Sequence, residues 1–288
     1  MIPTAFIQEW SLKAPWPDAR QIEQDLIICR VLCNLFNSPK LSGKIAFRGG
    51  TAINKLLFAK PLRYSEDIDL VQTIPGPIGN VVNSVRDTLS WLGDFSWKQA
   101  NHSMHLFYKF SPEVEPDSIL KVKIEINTRE HQSLYRIKNY PFELDSDWYR
   151  AHANIASFEP EELFGTKLRA LLQRRKSRDL FDLNEGLKQL SMDYDKLITC
   201  FQHYLSLQAQ SISRAAAEQR MLEKLQHSLT EDIAPLLPAG TTFSDDEALA
   251  AFGRIWFKLI TLIPGNPWKL SEEVINDLRK MRIPNLLR

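Results

Sequence analysis

The sequence predicts an α+β fold, a mixed sheet with flanking helices, followed by a mainly helical C-terminal region. Three observations lead there. Residues 67–71 and 120–127 alternate polar and apolar side chains, the period of a half-buried strand. Between and before them lie stretches with helical spacing. From Met192 onward nearly all apolar spacing is helical, interrupted at 232–244 and 264–267. A chain of 288 residues can form one large or two modest domains with a sizeable core, and the change of pattern divides it into 1–157 and 158–288.

Residues 1–16 carry Pro and Trp without a clear period and read as an irregular arm. Residues 18–36 read as a helix, with Ile22, Leu26, Cys29, Cys33 and Phe36 on one side, able to pack on a sheet. A loop at 38–43 follows, then a short apolar run at 44–47 stopped by Gly49-Gly50 and a helix over 51–58 carrying Ala52, Leu56 and Phe58. Two prolines and two glycines make 74–80 a connector. Val82, Val85, Leu89 and Leu92 predict a helix over 81–92. Residues 104–110 and 120–127 are two strands joined by an acidic loop. On the second, Leu120, Val122, Ile124 and Ile126 share one face; Lys121, Lys123, Glu125 and Asn127 share the other. Residues 139–157 read as a loop-rich connection.

A helix begins near Pro160 and runs through Lys167 to about Gln173, since proline suits a first helical turn and Glu161 and Glu162 favour the positive end of the helix dipole. Residues 174–177 break the apolar period, and 178–190 resume it. In one unbroken helix Lys167 and Asp179 would stand roughly 18 Å apart at ~1.5 Å per residue; a turn near Lys176 brings them closer. Leu249, Phe252, Ile255, Trp256 and Leu259 mark a strongly apolar helix.

Composition excludes several classes. With 44% hydrophobic and 25% charged residues the chain has a globular composition. Its 36 basic and 35 acidic residues nearly cancel, so any surface for nucleic acid must be local. No apolar run reaches the ~18 residues of a membrane span. Three cysteines, Cys29, Cys33 and Cys200, without a secretory signal at the start, suggest buried thiols in a cytoplasmic protein.

Chemistry concentrates in Phe47-Arg-Gly-Gly-Thr-Ala-Ile-Asn-Lys-Leu-Leu-Phe58 and Arg63-Tyr-Ser-Glu-Asp-Ile-Asp-Leu70. Strand, glycine turn and helix start form a phosphate-binding geometry, because glycine admits an anion close to the backbone N–H groups of a helix start. Lys55 and Arg63 would add positive charge. Asp67 and Asp69 project from one face of their strand and repel each other, a pair that suits magnesium together with phosphate oxygens. Taken singly, each feature also fits an ordinary turn or a solvated strand face. Arg169, Arg174, Arg175, Lys176 and Arg178 form the densest basic cluster, either a solvated face or a place to hold an RNA backbone, which positions a polymer without reading bases.

The blocks Arg48-Gly-Gly-Thr-Ala-Ile-Asn54 and Arg63-Tyr-Ser-Glu-Asp-Ile-Asp-Leu70 resemble the signature of the AbiEii/AbiGii-type nucleotidyltransferase toxins, a branch of the polymerase-beta-like nucleotidyltransferase superfamily. Lys121-Val-Lys-Ile-Glu-Ile-Asn127 matches where that superfamily has its third carboxylate. Glu161-Glu-Leu-Phe-Gly-Thr-Lys-Leu-Arg169 with Arg178-Asp-Leu-Phe-Asp182 resembles the family's lysine helix and Arg-Asp segment. The likeness spans about two thirds of the chain. It implies a magnesium-dependent transfer of a nucleotide from an NTP to an RNA end such as a tRNA 3′ terminus, in a toxin checked by an antitoxin, often a winged-helix protein. It implies Asp67, Asp69 and Glu125 as ligands of two magnesium ions. Gly49, Gly50, Thr51, Ser65 and Lys167 would be phosphate ligands, and Asp179 an orienting acid. Two other readings are open on the sequence: transfer to a small molecule, as by antibiotic-modifying nucleotidyltransferases, and a non-enzymatic partner-binding module with a degenerate site. Phosphorylation of Ser65 would put negative charge into the phosphate pocket and block nucleotide entry.

Overall fold

The computed structural model describes residues 2–280, with side chains to residue 277. The end of the expected C-terminal region, 281–288, lies outside the described residues. The chain separates into two compact units, 1–159 with 236–240, and 160–235 with 241–288.

The first unit begins with α1 (Thr4–Trp10), where an irregular arm was expected. Ile7 and Trp10, three apart, both bury, and Trp10 Nε1 donates to Asp25 Oδ1 at 2.9 Å. Tertiary packing stabilises a helix whose own seven residues are too few to signal it. Next come α2 (Ala19–Asn37), β1 (Ile45–Arg48), α3 (Gly49–Leu56), β2 (Asp67–Gln72) and α4 (Gly79–Thr88). Then follow five strands: β3 (Asp94–Gln99), β4 (Ser103–Phe110), β5 (Leu120–Asn127), β6 (Ile137–Ser146) and β7 (Tyr149–Phe158).

Asp18 caps α2, its carboxylate accepting from the Arg20 N–H at 2.9 Å. Of the predicted stripe Ile22, Leu26, Cys29 and Cys33 are buried and Phe36 is half-buried, but Ile27, Ile28, Val31 and Leu32 are buried as well. A helix buried on several sides belongs to the middle of a core, and α2 packs on β5, β6 and β7. The seven strands form one mixed sheet in the order β3-β4-β5-β2-β1-β7-β6. Antiparallel pairs join β1 to β2, β3 to β4, β4 to β5 and β6 to β7; β2–β5 and β1–β7 are parallel.

A second segment departs from the sequence expectation. The stretch expected to be loop-rich, 139–157, is most of the β6–β7 hairpin, paired from Ile137↔Phe158 to Ser146↔Tyr149. Pro141 lies within β6 and interrupts the pattern, yet the sheet tolerates it because β6 is an edge strand. Strand β3, at the opposite edge, is exposed along nearly its whole length and so carries no alternation of burial.

The second unit is helical: α5 (Pro160–Gln173), α6 (Ser177–Gln189), α7 (Tyr194–Ser206), α8 (Arg214–Lys224), α9 (Asp245–Lys258) and α10 (Ser271–Lys280). The break at 174–176 separates α5 from α6 as expected. Ser244 and Glu247 form a reciprocal capping box that starts α9, whose Phe252, Ile255, Trp256 and following Leu259 are buried. A β-carbon on Gly165 would lie 2.7 Å from Cys200 Cβ and 2.9 Å from the Leu197 carbonyl oxygen, so the α5–α7 contact depends on glycine. Segment 236–240 belongs to the first unit, where the Tyr64 N–H donates to the Leu236 carbonyl at 2.7 Å and the Ala239 N–H to that of Pro15 at 2.7 Å.

Candidate active site

Helix α3 starts directly at Gly49, with no separate glycine turn before it. Gly49 has φ of 81°, a left-handed value that reverses the chain from β1 into α3 and that L side chains rarely adopt. Its α-carbon also faces Asp69 so closely that an added β-carbon would stand 2.8 Å from Asp69 Cγ. Arg48, the residue before the helix, is extended and supplies no side-chain cap; its guanidinium is paired with Glu130 instead. The first N–H groups of α3 therefore lack the usual local acceptor and remain available to an anion. Thr51 is buried, its hydroxyl donating to the Asp67 carbonyl and sitting 2.8 Å from Ser65 Oγ. That bond pins the start of β2 to α3, a role the sequence did not disclose.

The sheet register assembles the acids. Asp69 pairs with Glu125 across the parallel β2–β5 ladder, and Asp67 with Lys123. Paired residues of neighbouring strands point to the same face. Extending the row across the sheet gives Lys98, His105, Glu125, Asp69 and Arg48 on five adjacent strands. The other face carries Ile68, Leu106, Ile124 and Phe47, all fully buried. Asp67, Asp69 and Glu125 thus share one half-open polar face of the sheet. His105, Lys123 and Arg48 are the residues sequence reasoning gave no role here; only Lys123, two before Glu125, left a trace in the alternation.

Electrostatics follow from this crowding. Burial, then the charge of Asp67 and, more weakly, that of Glu125, push the Asp69 carboxyl up to about 6, against the pull of Arg48 and Lys123. Glu125 goes the other way. Burial works to raise it, but the Lys123 hydrogen bond and the Lys123 and His105 charges together hold it below its ordinary value. Its Oε2 lies 3.0 Å from Lys123 Nζ and 3.3 Å from His105 Nε2.

The donor set suits a hard divalent cation. Asp67 and Asp69 offer oxygen only, and both the burial that chiefly raises Asp69 and the Asp67 charge that adds to it disfavour an ionised carboxylate without a cation beside it. Among the described residues no group of three His, Cys, Asp or Glu side chains is closed into a metal cluster. Glu125 is engaged by Lys123 and His105, so it would have to turn from them to share an ion.

Two expected contributions of charge are corrected. Lys55 points into the core, its ammonium 2.6 Å from Asp25 Oδ2 and 3.3 Å from Cys29 Sγ. Arg63 is buried and donates to the Tyr64 carbonyl at 2.9 Å. The Lys55 charge thus serves the interior of the first unit. In the helical unit, Lys167 Nζ lies 3.2 Å from Asp179 Oδ1 and 2.8 Å from Asp182 Oδ2, with all three side chains nearly inaccessible. Arg174 adds a two-pronged contact to Asp179 at 2.6 and 2.9 Å. The α5–α6 break thus brings Lys167 and Asp179 together. Asp179 lies in the first turn of α6, three residues after its cap Lys176.

A mixed sheet carrying an Asp-x-Asp strand beside a glycine-started helix, followed by a helical region, is the architecture of the polymerase-beta-like nucleotidyltransferases. Residues 30–254 match the family of the nucleotidyl transferase AbiEii toxin of type IV TA systems, and the chain belongs to that family. Its fold is similar to that of MenT4, a nucleotidyltransferase toxin of Mycobacterium tuberculosis H37Rv, with a TM-score of 0.64 and 14% identity over 98% of this chain and 99% of the other. It is also similar to JHP933 from Helicobacter pylori, with a TM-score of 0.50 and 16% identity over 93% and 99%. No curated protein matches in sequence. Among the described residues no helix is long and apolar enough to cross a membrane.

Proposed function

We propose that the protein is a magnesium-dependent nucleotidyltransferase toxin that moves a nucleoside monophosphate from an NTP to an RNA 3′ end, a tRNA terminus being the acceptor the family resemblance implies. One observation carries this reading: Asp69, paired in register with Glu125 and two residues from Asp67, rests against Gly49 at the uncapped start of α3. Carboxylates for a cation and free N–H groups for a phosphate converge there.

In this reading the N–H groups of Gly49, Gly50 and Thr51 and the Ser65 hydroxyl hold the triphosphate, while the Thr51 hydroxyl fixes the β2 backbone that carries Asp67. Asp67 and Asp69 would hold the magnesium that carries the nucleotide, and Glu125, turned from Lys123 and His105, would join them in holding a second ion. When bound, magnesium supplies charge neutralisation to the attacking and leaving oxygens. The acceptor oxygen bonds to the α-phosphorus and loses its proton. The bond to the bridging oxygen breaks, and pyrophosphate leaves. Lys167 as a phosphate ligand oriented by Asp179 is carried by the family resemblance; their 3.2 Å ion pair supports the orienting half. A separately encoded antitoxin, of winged-helix type by the same resemblance, would hold the activity in check.

The test is incubation of the purified protein with labelled NTPs, magnesium and total cellular RNA. Label should enter RNA and pyrophosphate should accumulate, with neither occurring in Asp69→Asn. Label confined to a small acceptor would move the assignment to small-molecule transfer. A folded protein that binds no nucleotide with magnesium would remove the enzymatic reading.

A further inference from the structure

The helical unit contains a cation-lined cavity that the reaction above does not use. It measures about 610 Å³ and opens among the end of α5, the 174–176 turn, the 210–212 loop and α8. Its walls carry Arg174, Arg175, Arg220 and Lys224, with Gln210 and Ser211 beside them. Glu223 is the one acid on its walls, and it accepts from Gln219 at 3.1 Å. Arg174 is spent on Asp179. Arg175, Arg220 and Lys224 form no ion pair among the described residues. Arg220 Nη1 reaches the Leu172 carbonyl at 3.4 Å and Lys224 Nζ the Arg174 carbonyl at 2.8 Å. Burial pulls the Lys224 ammonium below its ordinary value despite the charge of Asp179, as for a cation that has lost water without gaining a full counter-charge.

A second cavity, of about 340 Å³, shares Arg175 and Lys224 with the first and adds Lys176, Ser177, His227 and Ser228. Glu231 and Asp232 also line it, and Asp232 accepts the Ser177 N–H at 2.7 Å. Three cations that form no ion pair among the described residues, one in the 174–176 turn and two on α8, exceed the need of a single small anion. The apolar lining of the larger cavity is Leu172 and Ile212, both buried, so it lacks the exposed apolar anchors on which a protein interface rests. Guanidinium groups on a polar wall match the paired oxygens of phosphodiesters.

We propose that this cavity grips the sugar-phosphate backbone of the acceptor RNA, through Arg175, Arg220 and Lys224. The inference rests on the reading of the acceptor as RNA. It assigns affinity without base choice, since phosphate contacts position a strand and carry no sequence information.

The experiment is fluorescence polarisation of a labelled single-stranded RNA oligonucleotide with the full chain, wild type against Arg175→Gln/Arg220→Gln, across a salt series. Both side chains are exposed, and a melting curve confirms that the variant folds. The variant should bind RNA at least about tenfold more weakly, and its log–log salt slope should flatten by about 1.4, at roughly 0.7 for each phosphate no longer neutralised. Magnesium-dependent binding of a fluorescent NTP should not change. A second variant, Ser211→Glu, places a negative charge at the cavity and should weaken RNA binding in the same way. Unchanged RNA affinity and slope in both variants overturn the proposal, as does equal competition by poly-L-glutamate or by free triphosphate at matched charge. Cavity-dependent RNA binding by a wild type that transfers no label counts against the transferase reading and supports this one.

Discussion

Gly49 and Asp69 are in direct contact: a β-carbon at position 49 would stand 2.8 Å from Asp69 Cγ and 2.9 Å from its Cβ. The backbone of Gly49 is also left-handed, with φ of 81°. Gly49→Ala therefore meets two penalties, backbone strain of about 1–3 kcal/mol and displacement of the carboxylate. Misplacing a reacting group by about 1 Å costs roughly a hundredfold in rate. Transfer activity should fall by that order, measured as label incorporated into RNA, in a protein that still melts cooperatively.

Asp69 itself should trade stability for chemistry. Its folded pKa of about 6 lies above the ordinary carboxylate value of 3.8, so the folded state holds the proton more tightly than the unfolded one. Ionised Asp69 then costs stability above pH about 6, and the cost fades as pH falls toward 3.8. Asp69→Asn should be more stable than wild type without metal at pH 7–8, by about 1–2 kcal/mol at ~1.4 kcal/mol per unit, discounted for partial exposure. The gain should vanish below pH about 4. Magnesium should raise the wild-type Tm at neutral pH and leave Asp69→Asn unmoved, and chelation should reverse the wild-type shift.

The Lys167 cluster should report in stability whatever it does in catalysis. Lys167→Met leaves the buried Asp179 and Asp182 carboxylates without their shared amine, a loss of about 3–5 kcal/mol for breaking a buried pair, read by urea denaturation. Burial works to raise the Asp179 pKa, but Lys167 and Arg174 hold it below its ordinary value. Its contribution is thus present at neutral pH and lost as pH falls below the unfolded carboxylate value and through the folded one. Asp179→Asn should flatten that acid limb of the stability curve.

Gly165→Val should loosen the helical unit, because even a β-carbon would sit 2.7 Å from Cys200 Cβ and 2.9 Å from a backbone oxygen. Overpacking of this kind costs about 1–3 kcal/mol. Denaturant midpoints should fall accordingly.

The thiols should be silent in the native protein. Cys29, Cys33 and Cys200 are all buried, and burial pushes Cys29 up to about 12 and Cys33 to about 11. A thiol reagent at mildly alkaline pH should titrate none until denaturant is added, since the thiolate is the reactive form.

The candidate site was partly legible in the chain. Asp67, Asp69 and Glu125 could be placed on strand faces because alternation along a strand is a local property, and the observed alternation of β5 matches it from Lys121 to Asn127. Lys55 could not be placed. Its helical position is compatible with either a phosphate or a core carboxylate, and only the tertiary placement of the buried Asp25 beside it decides for the carboxylate. Strands β6 and β7 escaped sequence reading because Pro141 and the polar residues of an edge hairpin imitate a loop until a partner strand supplies their hydrogen bonds.

By itself the sequence determined the elements α2, β1, α3, β2, α4, β4 and β5 of the first unit, the helical second half and the family, through ordered blocks whose spacing is set by local geometry. The tertiary structure alone decided that Asp69 faces Glu125, that His105 and Lys123 hold Glu125, and that Arg175, Arg220 and Lys224 line one cavity. Those facts depend on which strands pair, in what register, and on which helices meet, and pairing is set by the burial of the whole core rather than by neighbours along the chain.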